Sequence, residues 1–155
     1  MSSVLTPEQV LAHWQGHRRL TRRVIEAFPE DKFLSFSVGG LRPFAMQAME
    51  CLALAAPVAR GVATGQWAEY TAPTTPDSKA ALLALWDQAT GEINAIWPTI
   101  PVHRFTDVDK AFGQWENTGI GSIQYAVDNE IHHRGQGYVY LRALGIEPPA
   151  FYDRS

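Results

Sequence analysis

The placement of proline constrains this chain more than any other feature. All but one of its ten prolines fall at the start of, or beyond, four stretches whose apolar residues recur at helical spacing. The first stretch opens at Thr6-Pro7-Glu8-Gln9, an N-cap residue followed by proline at the first helical position and glutamine at the capping-box position. Val10, Trp14, Val24, Ile25 and Phe28 then mark its apolar stripe until Pro29 stops it. A second helix fits Pro43 to about Thr64, with Pro57 expected to kink it. A third is capped by Asp77 or Ser78 and runs through about Ile96. The last begins near Asn117 or Thr118 and continues to Leu144, where Gly145 supplies a left-handed terminus and Pro148-Pro149 forbids continuation. Residues 30–41 read as irregular or briefly extended, 65–76 as a long loop, and 102–119 as a loop. With no convincing alternating strand, the expected fold is all-α: a four-helix bundle in a single domain spanning residues 1–155.

Composition agrees with such a core and excludes several functions. Of 155 residues 46% are hydrophobic and 19% charged, enough apolar surface to offset the entropy of ordering. Sixteen acidic against thirteen basic side chains leave a net charge of −3, with no basic run to displace counterions from a nucleic acid. Cys51 is alone, so neither an internal disulfide nor a cysteine-based zinc site is expected. No apolar run approaches the ~20 residues that cross a bilayer, and the N-terminus lacks a signal peptide's pattern. A soluble, cytoplasmic protein with neither membrane nor nucleic-acid partner is the expectation.

Chemistry concentrates in one segment of the last helix, Asp128-Asn129-Glu130-Ile131-His132-His133-Arg134-Gly135-Gln136. Asn129 and His133 stand four residues apart and share a helical face. Glu130 and Arg134 have the same spacing and read as a surface ion pair. His132 is turned about 100° from His133, so the two imidazoles cannot serve one site from one face. His13 and His17 also have i,i+4 spacing, but Arg18, Arg19, Arg22 and Arg23 nearby oppose a cation. Ordinary bundle surface is the better reading of that pair.

The run EIHHRGQGYVYLRALGIEPP resembles the C-terminal helix of the DinB/YfiT-like superfamily, with its His-Arg-Gly-Gln segment, Tyr-Leu-Arg and Gly-x-x-Pro-Pro ending. LRPFAMQAMECLA is similar to the family's second helix, and FPEDKFLSF fits the segment after its first. The resemblance spans nearly the whole chain. It implies an up-down-down-up four-helix bundle, usually a homodimer, with a divalent nickel or zinc ion held by three histidines. Some members of the family are thiol transferases that use bacillithiol or mycothiol.

Carried over residue by residue, the resemblance places the last family histidine on His133. The one four positions earlier falls on Asn129, and the second-helix histidine, counted from Arg42 and Phe44, falls on Glu50, with Gln47 or Met46 as the alternative register. The implied metal set is therefore Glu50, Asn129 and His133. A carboxamide oxygen is a weaker and harder donor than imidazole, so the ion would be held weakly or lost. Without a metal, Glu50 facing His133 would form a charge-assisted pair that raises the imidazole pKa, serving as a structural contact or a general base. Two functions follow as expectations. One is a thiol-dependent transferase or hydrolase with an altered metal site, acting on a small-molecule or thiol substrate. The other is a non-catalytic dimeric bundle that binds a small molecule or protein.

Overall fold

The computed structural model describes residues 4–155. Helix α1 (Pro7–Ala27) starts with the expected capping box, Thr6 accepting from the Gln9 backbone and Gln9 answering to the Thr6 backbone. Helix α3 (Phe44–Thr64) runs through Pro57 and ends on Gly65 at φ 72°, and α4 (Lys79–Ile96) is capped by the Ser78 side chain. Helix α5 (Gly119–Ala143) is capped by Thr118. Its far end is a Schellman motif: Ile146 N–H donates to Leu141 C=O (2.9 Å), Gly145 N–H donates to Arg142 C=O (3.0 Å), and Gly145 has φ 76°.

Two segments differ from expectation. Residues 30–41 contain a short helix, α2 (Glu30–Ser35), started by Pro29 with Glu30 and Asp31 favouring its N-terminal dipole. The segment expected as a loop after Pro101 holds a 3-10 turn (Val102–Phe105) and an antiparallel hairpin of β1 (Val108–Ala111) and β2 (Trp115–Thr118), with Val108 opposite Thr118 and Ala111 opposite Trp115. The strands are too short and too exposed to show alternation. Phe112 at the bend has φ 53°, where turn chemistry would favour glycine or asparagine.

Side-chain pairings give the helix directions. Arg22 meets Asp87 and Trp97 meets Pro7, so α1 and α4 are antiparallel. Arg60 meets Glu92 late in both α3 and α4, while Phe44 and Leu82 share one core cluster early in both, so these helices run parallel. Thr21 meets Glu130, and Gln9 lines one groove with Ile120, so α1 and α5 are parallel. Glu50 meets His133 at one end of α3 while Val62 reaches Gly119 at the other, so α3 and α5 are antiparallel. The result is the up-down-down-up bundle.

Two apolar clusters fill it, one around Trp14, Val62, Ile93 and Ile123, the other around Phe28, Phe44, Trp86 and Leu141. Between them lies a polar layer from α1 and α5: His17, Arg18, Thr21, Glu130, His133 and Arg134, all buried. Glu130 and Arg134 therefore are not the surface pair expected from their spacing. They lie in phase with Ile123, Val127 and Leu141, on the face that α5 turns inward.

Gly119 sets how closely the 3-10 turn at Arg104 approaches the start of α5. A Cβ there would strike the Arg104 backbone carbonyl and meet Val62 Cγ1 at 3.0 Å. Carbonyl and helix start are both fixed, so Gly119→Ala is expected to cost about 1–3 kcal/mol, read as a lower urea midpoint with an unchanged slope. An unaltered midpoint would mean that the 3-10 turn is not held against the start of α5.

Candidate functional site

Glu50, Asn129 and His133 come together where α3 crosses α5. His133 Nε2 lies 3.0 Å from Glu50 Oε1, and Asn129 Nδ2 donates to the same oxygen at 3.3 Å. Arg42 donates to the other oxygen, Oε2, at 2.6 Å. Met46, one alternative register, is exposed. Gln47, the other, faces His133 from the opposite side: its Oε1 lies 3.0 Å from Nδ1.

That contact determines the imidazole's proton. The Arg42 carbonyl accepts from the Tyr140 hydroxyl at 2.9 Å and from Gln47 Nε2 at 2.8 Å. This network assigns the Gln47 amide with its nitrogen toward Arg42 and its oxygen toward His133. A carbonyl oxygen only accepts, so Nδ1 carries the hydrogen. Burial pushes the His133 pKa down, and although the hydrogen bond and charge of Glu50 pull it up, burial wins. This corrects the expectation that Glu50 would raise it. Burial likewise pushes the Glu50 carboxyl up, but hydrogen bonds from Arg42, His133 and Asn129 outweigh it and hold the group below its ordinary value.

With its Nδ1 hydrogen held by Gln47, His133 donates from Nε2 to the Glu50 carboxylate oxygen 3.0 Å away when charged and aims the Nε2 lone pair at it when neutral. The neutral form sets two acceptors in contact, which repel unless a cation lies between or beside them. Asn129 Oδ1 adds a third acceptor, buried without a hydrogen-bond partner. An imidazole whose Nδ1–H is held by a carbonyl and whose Nε2 is free is the arrangement found at metal-ligating histidines, and an Arg on the distal carboxylate oxygen is compatible with ligation. The residues fit a divalent ion with two strong donors and one weak one. Among the described residues no group of three or more His, Cys, Asp or Glu side chains is placed to hold a metal, so the fit depends on the Asn129 carboxamide.

Glu50 also lines a cavity of about 530 Å³. Leu54 and Val58 continue its stripe along α3, Ser122 and Tyr125 face from α5, Tyr70 comes from the 65–78 connection, and Ala111, Phe112, Trp115 and Asn117 come from the hairpin region. The loop and hairpin are tied down by Trp67 Nε1 donating to Asp109 Oδ2 (3.3 Å) and Arg104 Nε donating to Val62 C=O (2.8 Å). Sequence reasoning missed this wall. The one available signal was the density of aromatic residues at 67, 70, 112 and 115 in segments otherwise read as loop.

The second histidine pair lies elsewhere and is surface only in part: His13 is exposed, whereas His17 is 3% exposed. Arg134 Nη2 approaches His17 Nδ1 at 2.9 Å, and Arg154 Nη1 lies within 2.9 Å of both ring nitrogens. Guanidinium can only donate and a neutral imidazole accepts at one nitrogen, so Nδ1, on which both arginines converge, accepts, and Nε2 carries the hydrogen, 3.2 Å from His13 Nε2. The lone pair a metal would need is already taken. Burial, followed by the charges of Arg134, Arg154 and His13, pushes the His17 pKa down to about 3.

Comparisons with known proteins agree with this architecture. A crystal structure of a DinB-like protein, YjoA from Bacillus subtilis, superposes with a TM-score of 0.74 at 21% identity, covering 95% of this chain and 99% of that one. A DinB-like protein from Bacillus cereus ATCC 10987 gives a TM-score of 0.77 at 15% identity over 94% and 97% of the two chains. The mycothiol-dependent maleylpyruvate isomerase gives 0.62 at 15% identity, over 88% of this chain and 64% of that one. At these identities the likeness concerns the fold. In sequence, the uncharacterised protein YjoA of Bacillus subtilis (strain 168) is 39% identical over 51 residues, a stretch that spans about a third (32%) of that relative. No helix among the described residues is long and apolar enough to cross a membrane. The family model described as the DinB family matches residues 1–155, and the chain belongs to the DinB family.

Proposed function

We propose that this chain binds a divalent zinc or nickel ion weakly at Glu50, His133 and Asn129 and uses it on a small molecule held in the adjoining cavity. The observation that carries the reading is the His133 ring, held by Gln47 so that Nε2 faces the Glu50 carboxylate, with the unpartnered Asn129 Oδ1 beside them. The ion, when bound, would supply Lewis acidity toward a donor atom of the substrate. Gln47 keeps the proton on Nδ1 and so keeps Nε2 open. Arg42 and Asn129 orient the Glu50 carboxylate, and the aromatic wall excludes water from the space beside it. A thiol-dependent transferase or hydrolase is compatible with such a site. The mycothiol-dependent isomerase supports that class by fold alone.

A non-catalytic small-molecule-binding bundle is the second reading. It is favoured by the 2.6 Å contact from Arg42, which offsets the carboxylate's charge. Calorimetric zinc titration of protein purified without a histidine tag separates the two. Measurable zinc affinity, lost in His133→Gln, is expected for a cation site. Asn129→His should then tighten zinc about tenfold or more by replacing a weak donor with a strong one, and adding Glu50→His should tighten it further. No zinc binding in the parent and no gain in either variant would overturn the cation reading. We also infer a homodimer, in line with the family resemblance. Sedimentation equilibrium should return twice the chain mass, and a monomer at every concentration would refute it.

A further inference from the structure

The cavity beside Glu50 has a composition that selects a ligand shape. Tyr70, Phe112, Trp115 and Tyr125 line it, and the first three form one connected cluster: ring centroids are 5.9 Å apart for Tyr70–Phe112, 6.1 Å for Phe112–Trp115 and 6.4 Å for Tyr70–Trp115. Leu54 and Val58, one turn apart on α3, add an aliphatic surface. Glu50 is the single ionisable carboxylate or cation among the lining residues, and Asn117 and Ser122 are the neutral hydrogen-bonding groups besides the tyrosine hydroxyls and the Trp115 indole N–H. A volume of about 530 Å³ lies in the range of small-molecule sites.

The backbone at Phe112 is an independent observation. A bulky side chain at φ 53° is strained, and the next residue, Gly113 at φ 70°, shows what a relaxed turn would use. The strain is retained together with a ring that is 6% exposed, packs on Trp67, Tyr70 and Trp115, and forms part of the cavity wall. The ring, not the turn, accounts for phenylalanine at this position.

We propose that the cavity takes a planar, conjugated molecule carrying one anionic oxygen or sulfur donor, its flat body against the Tyr70–Phe112–Trp115 cluster and its donor toward Glu50 and His133. Aromatic rings gain most from a flat, polarisable partner, which can stack or meet them edge-on. The anionic donor rests on the cation reading above, because Glu50 alone would repel it.

Calorimetry with three probes tests body and donor separately. 2-Naphthylmethanol, flat and neutral, should bind without zinc, and its fully saturated decalin counterpart should bind at least about tenfold more weakly if flatness is read. Trp115→Ala and Phe112→Gly should each weaken 2-naphthylmethanol by about tenfold or more with unchanged far-UV circular dichroism. Trp115 is half-exposed, so its variant keeps the test if Phe112→Gly does not fold. 2-Naphthoate should bind about tenfold more tightly with equimolar zinc, and His133→Gln should abolish that gain. Equal affinity for flat and saturated alcohols, or binding of neither, would overturn the planar ligand. Binding of the flat alcohol with 2-naphthoate indifferent to zinc would overturn the anionic donor while the planar body stands, and the zinc titration of the parent decides the cation reading separately.

Discussion

Arg18→Met is expected to destabilise the fold by about 3–5 kcal/mol, because it leaves the Glu130 carboxylate buried without its closest cation. Both residues are 1% exposed. Arg18 Nη1 lies 3.4 Å from Glu130 Oε2, its Nε donates to Thr90 Oγ1 at 2.7 Å, and its Nη2 donates to the Trp86 carbonyl at 3.1 Å. The guanidinium also stacks 4.0 Å above the Trp86 ring, a cation–π contact made in a desolvated setting. Burial holds the Glu130 carboxyl above its ordinary value, with the charge of Arg18 the largest opposing influence. Losing Arg18 therefore removes the largest influence that holds the Glu130 charge in the folded state. Urea unfolding near neutral pH measures the loss, and the double change Arg18→Met with Glu130→Leu should recover most of it. A single-variant loss below about 1 kcal/mol would mean that water reaches the layer.

Acidification should destabilise the fold through His17. Its folded pKa of about 3 lies below its reference of ~6.5, so the native state refuses a proton that the unfolded chain accepts. A depressed folded value contributes stability that is fully present above ~6.5 and is lost as pH falls toward 3. Within that window the slope approaches about 1.4 kcal/mol per pH unit. His17→Gln removes the titration. Other groups titrate in both proteins, so the stability gap between parent and variant isolates this one. It should shift in the variant's favour from pH 7 to pH 5, and a constant gap would show that His17 takes up its proton alike in the folded and unfolded chain.

Helix boundaries were legible where a residue had a single role at a helix end: Thr6 with Gln9, Ser78, Thr118 and Gly145 all act as their chemistry requires. The hairpin was not, because its bend carries phenylalanine in a conformation glycine would signal, and its outward residues include Val108 and Trp115. Spacing alone put Glu130 and Arg134 on the surface. Spacing taken with Ile123, Val127 and Leu141 puts them inside, since α5 turns one face inward whatever its polarity. Glu50, Asn129 and His133 were found through resemblance, and the structure brings them together. Gln47 was weighed as a ligand and acts instead behind the ring, because its amide is committed to the Arg42 carbonyl.

The parallel arrangement of α3 and α4 obliges the chain to travel back along the bundle before it can start α4. A helix of 21 residues is about 30 Å long, and residues 65–78 can span up to about 45 Å when extended. The return segment therefore exists for topological reasons, yet it carries Tyr70 into the cavity wall and is moored by Trp67 against Phe112. Few of its residues belong to the core that holds the bundle together, so substitutions and small changes of length there can reshape the cavity at little cost in stability. The up-down-down-up topology in this way separates the inheritance of the scaffold from that of the cavity wall, and chains with the same four helices are free to diverge in the shape of that cavity.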